Sequence, residues 1–288
     1  MPAPIRRVGI VPRLSHPLAL QTARELRDWL ASRSIEVGVE VDLDGDNRAT
    51  PERQARLREE SELVVVLGGD GTLIHASSLL AGREVPIFGV NMGSLGFMTE
   101  HPVSELYEHL ERALEGDYEV SERLKLETVL HREGEEPLLL GQVLNDVVIS
   151  KGALARIADL DLTIGGDFVT VYKADGVIVA TPTGSTAYSL SAGGPVLYPS
   201  LDAVEISPIC PHTLTQRPIV VPPNRVIQLT LTSDNGEVYL TLDGQSGLPM
   251  QRGDTVAIRR AQDRVVLVRN PSLDYFSILR AKLRWGAR

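Results

Sequence analysis

The chain has 288 residues, of which 43% are hydrophobic and 23% charged, and its formal net charge is −9. This composition is typical of a globular protein with a sizeable core, and it excludes the disordered and fibrous classes. The acidic charge argues against bulk nucleic acid or an anionic membrane as a default partner. The length fits one or two domains.

The cysteine content and the N-terminal sequence indicate the cellular compartment of the protein. Cys210 is the single cysteine, so no disulfide can form within one chain, as is usual in a reducing cytosol. We expect Cys210 to be a small buried hydrophobic residue. The first residues lack a signal-peptide core, and no stretch approaches the ~20 apolar residues that a bilayer requires. These features predict a cytoplasmic protein.

The first 121 residues alternate strands and helices. Leu63–Leu67 is a continuous β-branched apolar run, which is typical of a central parallel strand buried on both faces. Strand patterns cover residues 8–11, 35–41, 63–67 and 85–90, and helical patterns begin at Pro17 and cover residues 72–80 and 104–116. This order predicts an α/β domain with an open, mostly parallel sheet. Residues 271–288, helical from 274 to 285, are predicted to complete it.

Residues 122–270 are instead dominated by short strands. One short helix is expected near Thr186 to Ala192. Strand patterns cover residues 124–130, 138–150, 160–164, 169–172, 177–181, 219–221, 226–231, 238–242 and 255–258. We predict a β-rich C-terminal domain of the layered, β-sandwich-like kind.

A glycine-rich turn, Gly68-Gly69-Asp70-Gly71-Thr72, joins the most apolar strand to a helix. Ligands bind beyond the carboxyl ends of such strands, where glycines and a helix N-terminus can receive a phosphate. A carboxylate there suits a proton acceptor for an attacking hydroxyl or a ligand for a divalent cation. The alternative is a tight turn in which Asp70 caps the helix. No Gly-Lys-Ser/Thr follows, so the turn is not a P-loop.

Two more segments carry polar residues where apolar ones are expected. Asn145-Asp146 interrupts a strand, where it could meet ribose hydroxyls or belong to a structural hydrogen-bond network. Lys173-Ala174-Asp175-Gly176 leads through a strand into residues 181–195, a run of small hydroxylated residues suited to close contact with a nucleoside. A plain connecting loop is the alternative for that run.

At these residues the chain resembles the NAD kinase family, from about Leu63 to Gln245. The resemblance rests on Gly-Gly-Asp-Gly-Thr, Asn-Asp, Lys-Ala-Asp-Gly, the Thr181–Pro195 run, and Ile209-Cys210-Pro211-His212-Thr213-Leu214 with Arg217-Pro218. It implies phosphoryl transfer from ATP, or polyphosphate, to the 2′-hydroxyl of the adenosine ribose of NAD, giving NADP. It further implies a phosphofructokinase-like first domain, a divalent cation, usually magnesium, and a homo-oligomer.

The resemblance also assigns residues. Asp70 would be the proton acceptor. The residues implied or inferred to bind substrate and nucleotide are Gly68, Gly69, Asp70, Gly71, Thr72, Asn145, Asp146, Arg156, Lys173, Asp175, Thr186, Ala187, Tyr188, Ser189, Leu190, Ser191 and Gln245. No protein metal site is predicted, because the Cys210 and His212 pair has no second pair at zinc spacing.

Three alternatives remain at this point. His75, one turn beyond Thr72, is expected to be structural, although it could reach the site. A lipid kinase would share the glycine turn, but the Thr181–Pro195 run and the lack of a membrane-facing apolar stretch argue against it. A non-catalytic NAD(P)-sensing module would bind the nucleotide without turnover, which an intact Asp70 disfavours.

Overall fold

The computed structural model describes residues 4–153, 155–234 and 236–286. The described chain divides into two compact units, residues 1–122 with 265–288 and residues 123–264. No helix in the described ranges is long and apolar enough to cross a bilayer.

The helices and strands of the first unit follow the predicted alternation. The strands are β1 (Arg7–Pro12), β2 (Glu36–Val39), β3 (Leu63–Gly68), β4 (Pro86–Asn91), β5 (His101–Pro102), β6 (Val120–Arg123) and, from the end of the chain, β19 (Val265–Val268). The helices are α1 (Pro17–Ala31), α2 (Pro51–Glu60), α3 (Asp70–Leu79), α4 (Leu106–Leu114) and α6 (Tyr275–Leu283).

The first unit is built on one mostly parallel sheet. The strand order is β2-β1-β3-β4-β19-β6, and β5 pairs with β4. The pairs β1–β2, β1–β3, β3–β4 and β4–β19 are all parallel. Every residue of β3 is buried, as the apolar run predicts. The predicted α/β fold class is therefore confirmed.

The chain returns to the first unit at Val265, earlier than the predicted residue 271. The reason is β19, a short apolar strand whose Val266 and Leu267 pair with Pro86 and Ile87 of β4. Four residues carry too weak a periodic pattern to be recognised as a parallel strand from sequence.

The second unit consists of antiparallel strands. They are β7 (Leu126–His131), β8 (Leu138–Val143), β9 (Asp146–Lys151), β10 (Ala158–Ile164), β11 (Asp167–Ala174), β12 (Gly176–Ala180), β13 (Val204–Ile209), β14 (Ile219–Val221), β15 (Ile227–Leu231), β16 (Val238–Leu242), β17 (Ser246–Met250) and β18 (Thr255–Arg260). A 3₁₀ turn (Gly184–Thr186) and a short helix α5 (Tyr188–Ser191) stand where one helix over 186–192 was predicted.

Two sheets share the core of the second unit, with strand orders β11-β10-β15-β18-β7-β8 and β14-β13-β12-β9-β16-β17. One hydrophobic cluster contains residues of both, such as Leu160 and Leu229 from the first and Ile149 and Val179 from the second. The layered β-rich prediction is confirmed. The predicted single strand over 138–150 is wrong, because the chain breaks at Leu144 and Asn145, whose N–H groups bond to a side chain.

Candidate functional site

The glycine-rich turn lies where the sequence places it, between β3 and α3. Gly68 ends β3, Gly69 is the N-cap, and α3 begins at Asp70 rather than at the predicted Thr72. A Cβ at Gly68 would lie 2.3 Å from Thr72 Oγ1, so the turn is tight enough to require glycine there. The N-terminal N–H groups and the positive dipole end of α3 thus stand at the carboxyl end of the central strand.

The side chain of Asp70 does not cap α3, which overturns the helix-cap alternative. Its carboxylate instead accepts hydrogen bonds from a loop that follows β4. Phe97 N–H donates to Oδ2 at 2.8 Å, and Met98 N–H donates to Oδ1 at 3.0 Å. Thr99 donates to Oδ1 through its N–H at 3.2 Å and its hydroxyl at 3.3 Å. These bonds fix the orientation of the carboxylate.

The bonds are distributed unevenly over the two carboxylate oxygens. Within the described residues, Oδ1 accepts three hydrogen bonds and Oδ2 accepts one. A carboxylate offers about four lone-pair positions in total, about two on each oxygen. Oδ2 of Asp70 therefore keeps an acceptor position for a proton from a bound molecule.

A cavity of about 530 Å³ opens beside this carboxylate within the first unit. Its lining combines the glycine turn with a cation and a histidine. The residues are Pro12, Arg13, Leu14, Glu40, Gly69, Asp70, Gly71, Thr72 and His75. Backbone N–H groups, a helix N-terminus and Arg13 together suit an anionic ligand such as a phosphate.

His75 has both of the roles that the sequence left open. It lines the cavity beside Asp70, and its Nε2 lies 2.7 Å from Oε1 of Glu40. The Glu40 side chain is only 3% exposed, and the hydrogen bond that His75 donates to it raises the pKa of His75. The protonated imidazolium is thereby favoured at the wall of the cavity.

In the second unit, Asn145 and Asp146 are held by a residue that the sequence reasoning missed. The carboxylate of Asp243 accepts the N–H groups of Leu144 at 2.9 Å, Asn145 at 2.8 Å and Asp146 at 3.1 Å. Asp243 has φ +49°, a left-handed conformation that turns the chain after β16. The only sequence signal was its place in Asp-Gly-Gln, two residues before Gln245.

The pKa of Asp146, which interacts with Asp243, is strongly raised. Burial, with a smaller contribution from the charge of Asp243, raises the pKa of Asp146 to about 7. Burial also raises the pKa of Asp243, against the opposing effect of its three N–H donors. Two interacting carboxyl groups, of which Asp146 is buried and Asp243 half-buried, are costly unless one stays protonated. A perturbed pair of this kind marks a functional-site candidate.

The hydroxylated run packs directly against Asn145. Thr181 N–H donates to the carbonyl of Asn145 at 2.9 Å, and Thr181 Oγ1 donates to the carbonyl of Leu144 at 2.5 Å. A Cβ at Gly184 would lie 2.1 Å from the Asn145 oxygen. The run is therefore an ordered structure and not a plain loop, since glycine and threonine are required by contacts with the Asn-Asp pair.

The residues of the Thr186–Ser191 segment, which includes α5, differ in exposure. Tyr188 and Ser191 are exposed, Thr186, Ala187 and Leu190 are half-buried, and Ser189 is buried. Tyr188 and Ser191 can meet a ligand with their side chains. The Ser189 hydroxyl points inward and donates to Glu205 at 2.5 Å.

The remaining predicted residues are not gathered at Asn145. Lys173 is exposed near the end of β11, and Asp175 follows it, 3.6 Å from Lys151 Nζ. They stand at the Gly176 end of β12, whereas Asp146 pairs with Ala180 at the other end, roughly 13 Å away along the strand. Two further predicted residues, Arg156 and Gln245, are exposed.

Cys210 does not lie where the sequence predicts. Cys210 is exposed, so the expectation of a buried thiol is wrong. It has φ +46° at the end of β13, where His212 N–H bonds to the Lys173 carbonyl and the chain turns outward. In the described ranges, no group of three or more His, Cys, Asp or Glu is placed to hold a metal ion.

Comparison with known proteins gives a consistent answer over the whole chain. The profile of the ATP-NAD kinase N-terminal domain matches residues 8–118, and that of the ATP-NAD kinase C-terminal domain matches residues 144–270. The NAD kinase of Geotalea daltonii is 50% identical over 285 residues, covering 99% of this chain and 100% of the relative. The NAD kinase of Geobacter metallireducens is 48% identical, with coverages of 99% and 100%.

Solved structures agree. The yeast NADH kinase complexed with NADH has a TM-score of 0.88 at 27% identity and covers 99% of this chain and 89% of that chain. An NAD kinase from Archaeoglobus fulgidus in complex with ATP has a TM-score of 0.74 at 26% identity, with coverages of 96% and 98%. The chain therefore belongs to the NAD kinase family and is an enzyme that phosphorylates NAD.

Proposed function

We propose that Asp70 accepts the proton of the 2′-hydroxyl of the adenosine ribose of NAD while that oxygen attacks the terminal phosphate of the donor. The new bond joins the 2′-oxygen to phosphorus, the bond from phosphorus to the leaving phosphate oxygen breaks, and the product is NADP. The observation that carries this assignment is the acceptor position left on Asp70 Oδ2, in a carboxylate oriented by Phe97 to Thr99.

Positioning and electrostatics do the rest of the work in phosphoryl transfer. Gly68, Gly69, Gly71 and Thr72 bring backbone N–H groups and the N-terminus of α3 to the donor phosphates. The cavity beside Asp70 adds Arg13. A ribose hydroxyl is a weak nucleophile until its proton has an acceptor, so loss of the carboxylate should act on turnover more than on binding.

The binding of NAD is assigned to residues of the second unit. Asn145 and Asp146, set by Asp243, contact the nucleotide, and so do Arg156, Lys173, Asp175 and Gln245. The residues Thr186, Ala187, Tyr188, Ser189, Leu190 and Ser191 line it. The supporting observations are the pKa of Asp146, raised to about 7, and the fixed packing of Gly184 on Asn145.

Kinases of this family typically need a divalent cation, which we propose to be magnesium. The described residues form no protein cage for it. This suits Mg²⁺, which usually arrives on nucleotide phosphates, keeps several waters and takes one or two carboxylates at most. When bound, it would neutralise charge on the transferring phosphate.

The organisation of the protein is proposed in the same way. Residues 1–122 with 265–288 form the α/β domain that carries the glycine turn, and residues 123–264 form the NAD-binding domain. We further propose a cytoplasmic homo-oligomer that uses NAD together with ATP or polyphosphate, with neither nucleic acid nor membrane as a partner. Light scattering of the purified protein tests the assembly state.

One assay tests the proposed reaction. The purified chain is incubated with NAD, magnesium and either ATP or polyphosphate, and NADP is measured. NADP formation is expected, together with none from an NAD analogue that lacks the 2′-hydroxyl of the adenosine ribose. Phosphorylation of that analogue would show that a different hydroxyl is the acceptor.

A further inference from the structure

A buried carboxyl group lies beneath α5 that the mechanism does not use. Glu205, in β13, has no solvent exposure, and neither do Ser189 and Ser207. Ser189 Oγ and Ser207 Oγ each donate to Oε1 of Glu205 at 2.5 Å. The bond from Ser189 ties the predicted nucleotide-binding segment, residues 186–191, to the sheet below it.

The sheet register places Glu205 level with Asp146 across the strands of the sheet. Glu205 pairs with Ala180 across β13 and β12, and Ala180 pairs with Asp146 across β12 and β9. Side chains at paired positions point to the same face of a sheet. Glu205 and Asp146 are therefore on one face, two strands apart.

Gly194 packs closely against the Glu205 carboxyl group and Ser189. A Cβ at Gly194 would lie 1.8 Å from Glu205 Oε1 and 2.5 Å from Ser189 Oγ. Gly194 N–H in turn donates to the Ser189 carbonyl at 2.9 Å. The end of the helical segment thus closes over the Ser189–Glu205 hydrogen bond, and only glycine fits that approach.

Burial of the Glu205 carboxyl group is energetically unfavourable. Its Oε2 is buried without a hydrogen-bond partner among the described residues, and burial raises the pKa of the carboxyl group. A packed apolar side chain would avoid that cost. Retaining a carboxyl group here is explained if it fixes the conformation of the chain above it.

We propose that Glu205 is a positioning residue of the NAD site, which acts through Ser189 to hold the Thr186–Ser191 segment in the conformation that receives the nucleotide. The proposal rests on the proposed assignment of that segment to NAD. Glu205 does not touch substrate. Its loss should weaken NAD binding without changing the chemistry at Asp70 or the affinity for the phosphoryl donor.

The test is a kinetic series on the full-length enzyme. Glu205→Ala and Ser189→Ala should each raise KM for NAD about tenfold, the effect of losing one buried hydrogen bond to a carboxyl group. Values of kcat and of KM for ATP should stay within about twofold. The double variant should be no worse than either single one, because both remove the same interaction.

Two further variants separate positioning from simple destabilisation. Glu205→Gln keeps an acceptor oxygen for both hydroxyls and should restore KM for NAD. Ser207→Ala removes a donor to the same oxygen from β13, outside the segment, but Ser207 Oγ also lies 3.1 Å from Ser189 Oγ, so KM for NAD should rise by less than in Ser189→Ala. If Glu205→Ala does not fold, Ser189→Ala with Ser207→Ala as its control carries the test.

The outcomes are distinguishable. No NADP from the wild-type enzyme would refute the proposed function itself. Normal wild-type turnover with an unchanged KM for NAD in Ser189→Ala would overturn the positioning role alone. So would a loss of kcat at constant KM, or a failure of Glu205→Gln to restore KM.

Discussion

Gly96 approaches Asp70 so closely that a Cβ at residue 96 would lie 2.3 Å from Asp70 Oδ1. It would also lie 2.2 Å from Thr99 Oγ1, which donates to the same oxygen. Thr99, which donates to the Asp70 carboxylate, and Gly96, which leaves room for it, thus belong to one short loop. The orientation of Asp70 depends on that loop as much as on the glycine turn.

Gly96→Ala should therefore lower kcat by at least about tenfold, because the methyl group displaces the carboxylate from Phe97, Met98 and Thr99. Calorimetry should show that NAD still binds. Gly93→Ala is the matched control, since nothing lies within 4 Å of a Cβ built at that position. Equal turnover of the two variants would show that the loop does not set the carboxylate.

Gly184→Ala should disturb the segment that we propose to bind NAD. Its Cβ would lie 2.1 Å from the carbonyl oxygen of Asn145, which is backbone and cannot move aside without shifting the Asn-Asp pair. We expect a loss of about 1–3 kcal/mol in stability by thermal melting and a higher KM for NAD. Gly247→Ala in β17, with its nearest atom 4.0 Å away, should change neither.

The raised pKa of Asp146 makes stability depend on pH. The folded protein keeps this proton up to about pH 7, whereas the unfolded chain loses it near the ordinary value of 3.8. Between these values the folded state binds more protons, so the contribution of Asp146 to stability falls as the pH rises from about 4 to about 7 and is constant above.

Asp146→Asn should remove that decline and also relieve the charge beside Asp243. Thermal melts of both proteins at pH 4, 5.5, 7 and 8.5 check this expectation. The stability of the variant relative to the wild type should rise as the pH increases up to about 7. Above that pH the difference between the two proteins should stay constant. A constant difference at all four pH values would contradict the assignment.

The pairing of His75 with Glu40 has a spectroscopic consequence. The hydrogen bond raises the pKa of His75, so Glu40→Gln should lower it toward the model-peptide value of 6.5. An NMR titration of the His75 ring protons measures the change. Glu59→Gln, at an exposed carboxylate that pairs with Arg58, should leave the titration where it was. An unaltered His75 titration in Glu40→Gln would contradict the pairing.

The fold and the position of the Asp70 carboxylate were accessible from sequence because their signals are local. Leu63–Leu67 is apolar enough to be recognised as a buried strand, and Gly68-Gly69-Asp70-Gly71-Thr72 follows it without a gap. The chain order of strands and helices then gives the α/β class, and the strand-rich half gives the layered sheets.

The partners of the polar residues were not accessible, because they are distant in sequence. Phe97 is 27 residues from Asp70, and Leu144 is 99 residues from Asp243. No periodicity encodes such pairs. The same reason explains the strand break at Leu144. The sequence around Leu144 is apolar and predicts a continuous strand, whereas the Leu144 N–H group bonds to the distant Asp243.

The most direct test of the mechanism is Asp70→Asn, because the amide keeps the shape of the carboxylate and one oxygen for the donors at Oδ1. Calorimetry with NAD and single-turnover formation of NADP are measured on the same preparation. We expect NAD affinity within about twofold of the wild type and turnover reduced at least about a hundredfold. Lost NAD affinity, or turnover near that of the wild type, would contradict the role of Asp70 as proton acceptor.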